Sequence, residues 1–522
     1  MAETVALSID GRAATCESGI TVAAALENAG QSVCRRSVSG ESRGVLCAMG
    51  ICFECRVTID GAPHQRACME LVMDGMEVST QAPRLTAQGS RFTAPREALE
   101  CDVAVVGAGP AGVAAACRAA EAAARTVLLD EGLAGGGQIH RHLPGREAPE
   151  AARPWIERLT RSGASARYET AVFDAVREEG GFRLFAETRA GTLEVFAKRV
   201  LLATGARELF LPFPGWTLPG VMGAAGAQAL WKSGASLSGR RAVVAGSGPL
   251  LLPVAASLAK AGADVVLVAE QAAPGAVLRF GASLLRSPGK LAEAARYRAA
   301  FRGTPYRFGT WVAEALGGAR VEAVALTGGE ERITVACDLA AVAYGLVPNT
   351  ELARLLGCEM RAGAVVVKET QESSVAGLFC AGEPCGIAGV DAAIAEGEIA
   401  GLAAAGRFET TSAEGRRLRG ARARLRGFAS VLARTFAPRS ELRALARPDT
   451  IVCRCEDARF GDLAACGGAR EAKLSARAGM GACQGRVCGP ALGFLFGWDS
   501  DTVRPPVKPA ALGILAGVEE SA

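Results

Sequence analysis

At 522 residues the chain is too long for one hydrophobic core, and its length implies roughly three or four domains. Half of the residues are hydrophobic and 21% are charged, which excludes a disordered chain; a net charge of only +4 gives no field that would select nucleic acid. The first residues carry no basic-then-apolar secretory pattern, and no uninterrupted apolar run reaches the ~18 residues of a membrane span. A cytoplasmic protein, membrane-associated only through a partner, is the expectation.

Residues 1–95 read as a small α+β module. Val5, Leu7 and Ile9 alternate as a strand, Asp10-Gly11 turns it, and Thr21 caps a helix that stops at Gly30. A loop then brings Cys47, Cys52 and Cys55 in C-x4-C-x2-C spacing, and an Asp60-Gly61 hairpin returns Cys68 beside them. That spacing is close to plant-type [2Fe-2S] sites. Structural zinc, with paired short spacings, and an unmetallated core are the competing readings. Residues 81–100, with Pro83, Gly89 and Pro95, look like a linker.

From Cys101 the texture is that of a parallel α/β domain. A strand from Val103 to Val106 enters Gly107-Ala108-Gly109-Pro110-Ala111-Gly112, a helix follows, and the next strand ends at Asp130-Glu131. The glycines permit a tight turn, backbone approach to a pyrophosphate and helix-on-sheet packing, while Asp130 or Glu131 accepts from a ribose hydroxyl. Gly137-Gln138, Ala203-Thr204-Gly205 and Gly382-Glu383 each follow a strand or turn in the order a flavin-binding domain requires. A second unit, Gly246-Ser247-Gly248, is followed by Leu251 where a third glycine is expected. Leucine there narrows the pyrophosphate seat, so a degenerate structural unit is favoured over a working nicotinamide site; ATP, NAD(P) or no ligand all stay open.

Nine arginines lie between Arg416 and Arg443, with apolar residues at helical spacing. An exposed amphipathic linker helix is the simpler reading, a docking surface for an acidic partner the other. The closing module holds Cys453-Arg454-Cys455 and Cys483-x4-Cys488 among glycines whose backbone amides are free to bond sulfur. A second [2Fe-2S] cluster fits this set better than zinc. Only three histidines occur, and no residue stands out as a substrate base.

These segments together resemble one family. Gly107 to Gly112, Gly136-Gly137-Gln138-Ile139, Ala203 to Glu208, Pro212 to Trp216 and Gly246 to Leu252 look like the FAD-binding A subunit of opine oxidases. The α subunits of dye-linked proline and hydroxyproline dehydrogenases and the B subunit of hydrogen cyanide synthase are related. Cys453 to Glu456 and Gly479 to Arg486 are similar to bacterioferritin-associated-ferredoxin-like (BFD-like) modules. Residues 1–95 resemble the small [2Fe-2S] subunit that is often a separate chain. The resemblance implies a two-dinucleotide-domain, disulfide-reductase-like flavoprotein with an N-terminal ferredoxin-like domain and a small helical C-terminal domain. Its expected parts are the ferredoxin-like domain (1–95), an FAD domain in two pieces (96–212 and 336–406), an inserted nucleotide domain (213–335), an Arg-rich linker (407–447) and the BFD-like domain (448–522). It also implies FAD, two [2Fe-2S] clusters and a catalytic partner similar to D-amino-acid oxidase. Electrons would go to an acceptor such as a quinone, a cytochrome or a dye. A self-sufficient NAD(P)H-dependent reductase and a non-catalytic nucleotide-binding scaffold are the alternatives.

Overall fold

The computed structural model describes residues 3–81, 94–286, 288–329, 331–499 and 502–516. It separates into two compact units: one of residues 1–85, 208–345 and 431–500, the other of 86–207, 346–430 and 501–522. Each draws on distant stretches of chain.

The second of these units is built on a seven-stranded sheet. Strand Arg96–Val106 lies between Thr126–Leu129 and Thr192–Leu202, parallel to both, and Leu378–Cys380 adds a further parallel strand beside Thr192–Leu202. The central strands carry continuous apolar runs because both faces are covered: Val103, Ala104 and Val105 are fully buried. The first of them begins at Arg96, inside the stretch expected to be linker, since its early residues pair with residues 192–197. Pro83 and Gly89 of that linker lie outside the described residues. Helices Pro110–Glu121 and Val390–Ala404 pack together on one face, and the crossing depends on absent side chains. A Cβ at Gly397 would sit 2.2 Å from the Ala111 carbonyl oxygen, and one at Gly401 2.3 Å from that of Ala115.

Helix Ala413–Thr435 carries most of the arginine cluster. Arg422 and Arg426 are half-buried, and both reach the fully buried Glu396. After the closing cysteine module the chain returns to this unit, where Val507 and Ile514 bond or pack against Phe173.

The other unit contains three substructures around one continuous apolar core. The N-terminal sheet has the order Arg12–Glu17, Thr4–Ile9, Met76–Ser79, Arg56–Ile59, Ala62–Arg66. Its helix, Val22–Asn28, is capped by Thr21, whose hydroxyl accepts from the Ala24 N–H. The second substructure is a five-stranded parallel sheet, Val221–Gly223, Leu339–Ala343, Arg241–Gly246, Asp264–Glu270 and Tyr306–Phe308, joined by an antiparallel meander over 311–336. The third is a small helical module in which Phe460, Phe496 and Trp498 stack with centroids 5.3 and 4.5 Å apart. Among the described residues no helix is long and apolar enough to cross a membrane.

The glycine crossing gives a direct test. Gly401→Val forces a branched side chain onto backbone that has no rotamer to yield, and is expected to destabilise the unit by about 3 kcal/mol, read as a lowered thermal midpoint.

Candidate functional site

The first glycine turn is a seat made of backbone. Gly107 has φ +105°, and a Cβ there would meet the Ala203 carbonyl oxygen at 2.3 Å; one at Gly112 would meet the Gly107 oxygen at 1.7 Å. A Cβ on Gly109 would meet nothing within 4 Å. Gly109 lies at the N-terminus of a 12-residue helix, where the first amides have no helical partner. Pro110 starts this helix at low cost, since its missing N–H would have had no helical partner. Gly137, at φ +62°, lies against Gly109, and the Gly136 N–H donates to the Ala108 oxygen, so the 136–138 loop borders the same turn. Gln138 accepts from Arg141 through its amide oxygen.

The two acids after the second strand have different tasks. Asp130 accepts from the Ala108 N–H at 2.5 Å and the Gly132 N–H at 2.6 Å; burial raises its pKa. It braces the turn. Glu131 instead pairs with Lys508 at 2.6 Å.

Two further features hold the seat that sequence reading missed. Asn349 clamps the crossing at Ala203-Thr204-Gly205: its side-chain amide donates to the Thr204 oxygen, its own carbonyl accepts from the Thr204 hydroxyl, and its N–H donates to the Gly205 oxygen. Glu396 accepts from the Gly382 N–H and is itself held by Arg426, which also donates to the Gly382 and Gly386 oxygens. Glu383, which burial pushes up, accepts from the amides of Ala388 and Gly389. Asn349 follows a strand end and is a visible signal in retrospect; Glu396 and Arg426 are 30 residues apart and give none.

The second glycine turn differs from the first in backbone as well as surroundings: Gly248 lies at φ +92°, where Gly109 lies at −70°. A Cβ on Gly248 would lie 3.6 Å from the Phe436 side chain. The Ser247 hydroxyl donates to the Phe436 oxygen, the Gln271 amide donates to Ser247 and to the Ala437 oxygen, and the Arg439 N–H donates to Gln271. Glu270 is the acid of this unit, and its two oxygens are taken by the amides of Gly248 and Ala272. Burial raises its pKa to about 7. The chain's own segment 436–439 thus meets the groups that would otherwise face a nucleotide.

All eight cysteines of the two sets are buried, and each set comes together as two pairs. Cys47 lies in hydrogen-bond contact with Cys52, and Cys55 with Cys68; at the other end Cys453 pairs with Cys488, and Cys455 with Cys483. The S–H of Cys52, helped by backbone amides, lowers Cys47 to about 6, while burial raises Cys52. Cys453 is lowered to about 6 in the same way by Cys488, with the Gly479 amide assisting. The N–H of Gly50 donates to Cys68 Sγ at 3.2 Å, and Gly50, at φ +80°, has no room for a Cβ against Met69. Two pairs suit a group with two metal centres that each take two sulfurs.

Parts of the chain match known families. Residues 101–397 match the pyridine nucleotide-disulphide oxidoreductase family and residues 2–83 the 2Fe-2S iron-sulfur cluster binding domain. The A subunit of opine oxidase from Agrobacterium tumefaciens is 33% identical over 81% of this chain and 92% of its own length. The chain belongs to the family of opine oxidase A subunits. Hydrogen cyanide synthase subunit HcnB of Pseudomonas aeruginosa is 33% identical over 77% of this chain and 92% of its own. L-proline dehydrogenase from P. horikoshii shares the fold, with a TM-score of 0.71 at 20% identity over 98% of both chains. This family member is accordingly a flavoprotein oxidoreductase of Rossmann-like fold with a ferredoxin-type 2Fe-2S domain at its N-terminus.

Glu270 makes the second turn pH-sensitive. In the unfolded chain it loses its proton near 4.5, in the folded chain near 7, so between these values the folded state binds more protons and stability falls as pH rises. The fall is worth up to about 3 kcal/mol. Glu270→Gln is expected to flatten the pH dependence of the thermal midpoint between about pH 5 and 7, the interval that this raised pKa sets. A second measurement separates the two acids of the first turn. Glu131→Ala is expected to weaken FAD retention about tenfold with little change in folding, whereas Asp130→Ala lowers stability as well. Flavin release by ultrafiltration and thermal unfolding would read the two effects.

Proposed function

We propose that this chain is the electron-transfer subunit of a heteromeric flavin-dependent dehydrogenase acting on an amino acid, an opine or a related amine. Substrate would be oxidised at its C–N bond on a partner flavoprotein similar to D-amino-acid oxidase. The observation that carries this reading is the gathering of eight buried cysteines into two sets of paired thiols within a flavoprotein of the opine oxidase family. The names of the relatives support it: they are subunits, of an opine oxidase and of hydrogen cyanide synthase.

In this reading FAD is held by Gly107, Gly109, Pro110, Ala111 and Gly112 at its pyrophosphate, by Glu131 at its ribose, and by Gly137, Gln138, Ala203 to Gly205, Gly382 and Glu383 along its length. FAD accepts electrons in pairs and releases them singly, which is the conversion such a relay needs. Cys47, Cys52, Cys55 and Cys68 hold one [2Fe-2S] cluster; Cys453, Cys455, Cys483 and Cys488 hold a second, each a one-electron carrier. Around these groups the chain supplies backbone amides that stabilise thiolate charge, a dry interior, and carboxylates that lock the supporting turns. The external acceptor is a quinone or a cytochrome, with a dye serving in vitro.

Gly246 and Gly248 are assigned a structural task. Segment 436–439 already meets that turn, which counts against a self-sufficient NAD(P)H-dependent reductase and against an adenine nucleotide there.

Anaerobic addition of NADH or NADPH to the purified chain should leave its flavin and cluster absorbance unchanged. Substrate amine added to the chain with its co-purified partner should bleach both. The chain should carry about four irons and four acid-labile sulfides. Bleaching by NADH alone would overturn the proposal in favour of the reductase.

A further inference from the structure

The two cysteine sets are separated in sequence by almost four hundred residues, yet the residues lodged between their ligands touch each other. Glu54 lies between Cys52 and Cys55; Arg454 lies between Cys453 and Cys455. Arg454 Nη2 donates to Glu54 Oε2 at 3.3 Å, and Arg35 Nη2 donates both to Glu54 Oε1 at 3.0 Å and to the Arg454 carbonyl at 3.3 Å. Trp216 completes the group: its carbonyl accepts from Arg454 at 2.8 Å, its ring lies under the guanidinium at 4.8 Å, and its indole N–H donates to the Ile451 carbonyl beside the second set. A second bridge runs alongside, from Arg43 to Asp457 at 2.7 Å, with the Ser39 hydroxyl and N–H donating to the same aspartate.

Burial makes this group expensive unless something else compensates it. Glu54 is 1% exposed, Arg454 2% and Arg43 1%. Three guanidinium groups face two buried carboxylates, Glu54 and Asp457; the third acid, Glu41, bonds Arg43 from a half-exposed position where water screens it. The Nε–H of Arg35, Arg43 and Arg454 is in each case buried with no acceptor among the described residues. Surplus positive charge and idle donors in a dry interior need anionic acceptors nearby.

We infer that Glu54, Arg35 and Arg454 form a shared counter-charge that sets the reduction potentials of both clusters together. The inference rests on the reading of the two cysteine sets as cluster sites. These three are positioning residues: none supplies a sulfur, and each acts through the field it lays across both sets. One electron from dithionite reduces each cluster, with no bond made or broken, so the only change the network must answer is one added negative charge. Glu54→Gln removes a negative charge at constant shape and favours that added electron on both sides; Arg35→Met removes a positive charge and disfavours it on both.

The test is an anaerobic redox titration of the full chain followed by electron paramagnetic resonance, in which the two reduced clusters give separate signals. Iron and sulfide counts on the wild-type chain come first. If two clusters are absent, the cluster reading itself fails and the inference with it. With both present, Glu54→Gln should raise both midpoints by about tenfold in the reduction equilibrium, which is 59 mV for a one-electron couple. Arg35→Met should lower both by a comparable factor, and supports the inference on its own if Glu54→Gln fails to retain its clusters. A shift confined to the N-terminal cluster, or no shift at either, overturns the shared counter-charge while leaving the clusters in place.

Discussion

Negative charge inside an apolar interior is the constraint to which the rest of the cysteine-bearing unit answers. Thiolates that hold metal cannot be left to water, because water would also reach the metal; they cannot be left alone in a dry core either, since an uncompensated buried anion costs several kcal/mol. Three kinds of group answer that cost. Backbone amides in tight turns, such as that of Gly50, bond to sulfur directly. In the pairs Cys47–Cys52 and Cys453–Cys488 one thiol lowers the other's pKa. Arginines buried almost to the last atom supply the remaining positive charge.

The flavin-binding unit answers the opposite need. Its cradle is nearly free of charged side chains at the turn itself, and its two critical positions, Gly107 and Gly112, are defined by carbonyl oxygens that leave no volume for a side chain. Charge appears one layer back, in Asp130, Glu396 and Arg426, each fixing a loop that shapes the cradle. A cofactor seat built from backbone is rigid because its donors have no rotamers to lose.

What the sequence made legible divides along the same line. Gly107 and Gly112 could be read because each answers a local steric demand, and the cysteine sets because metal geometry imposes short spacings. The Thr21 cap and the Asp60-Gly61 hairpin appear where turn chemistry put them. Long-range partners were invisible: Glu54 and Arg454 stand 400 residues apart, Ser247 and Phe436 189, and neither pair has a periodic or spacing signature. The early start of strand Arg96–Val106 was missed because its first half is polar, and only its pairing with the first half of Thr192–Leu202 makes it a strand. The arginine-rich helix looked solvated for the same reason, since the acid that receives two of its guanidiniums is on another helix.

Phe436 gives the proposed relay a physiological meaning. The matched family is named for pyridine nucleotides. At this chain's second glycine turn an aromatic side chain and the backbone after it lodge against Gly248 and Ser247. Under the proposed function, that lodging excludes a soluble nicotinamide from this turn and reserves electron entry for the partner subunit.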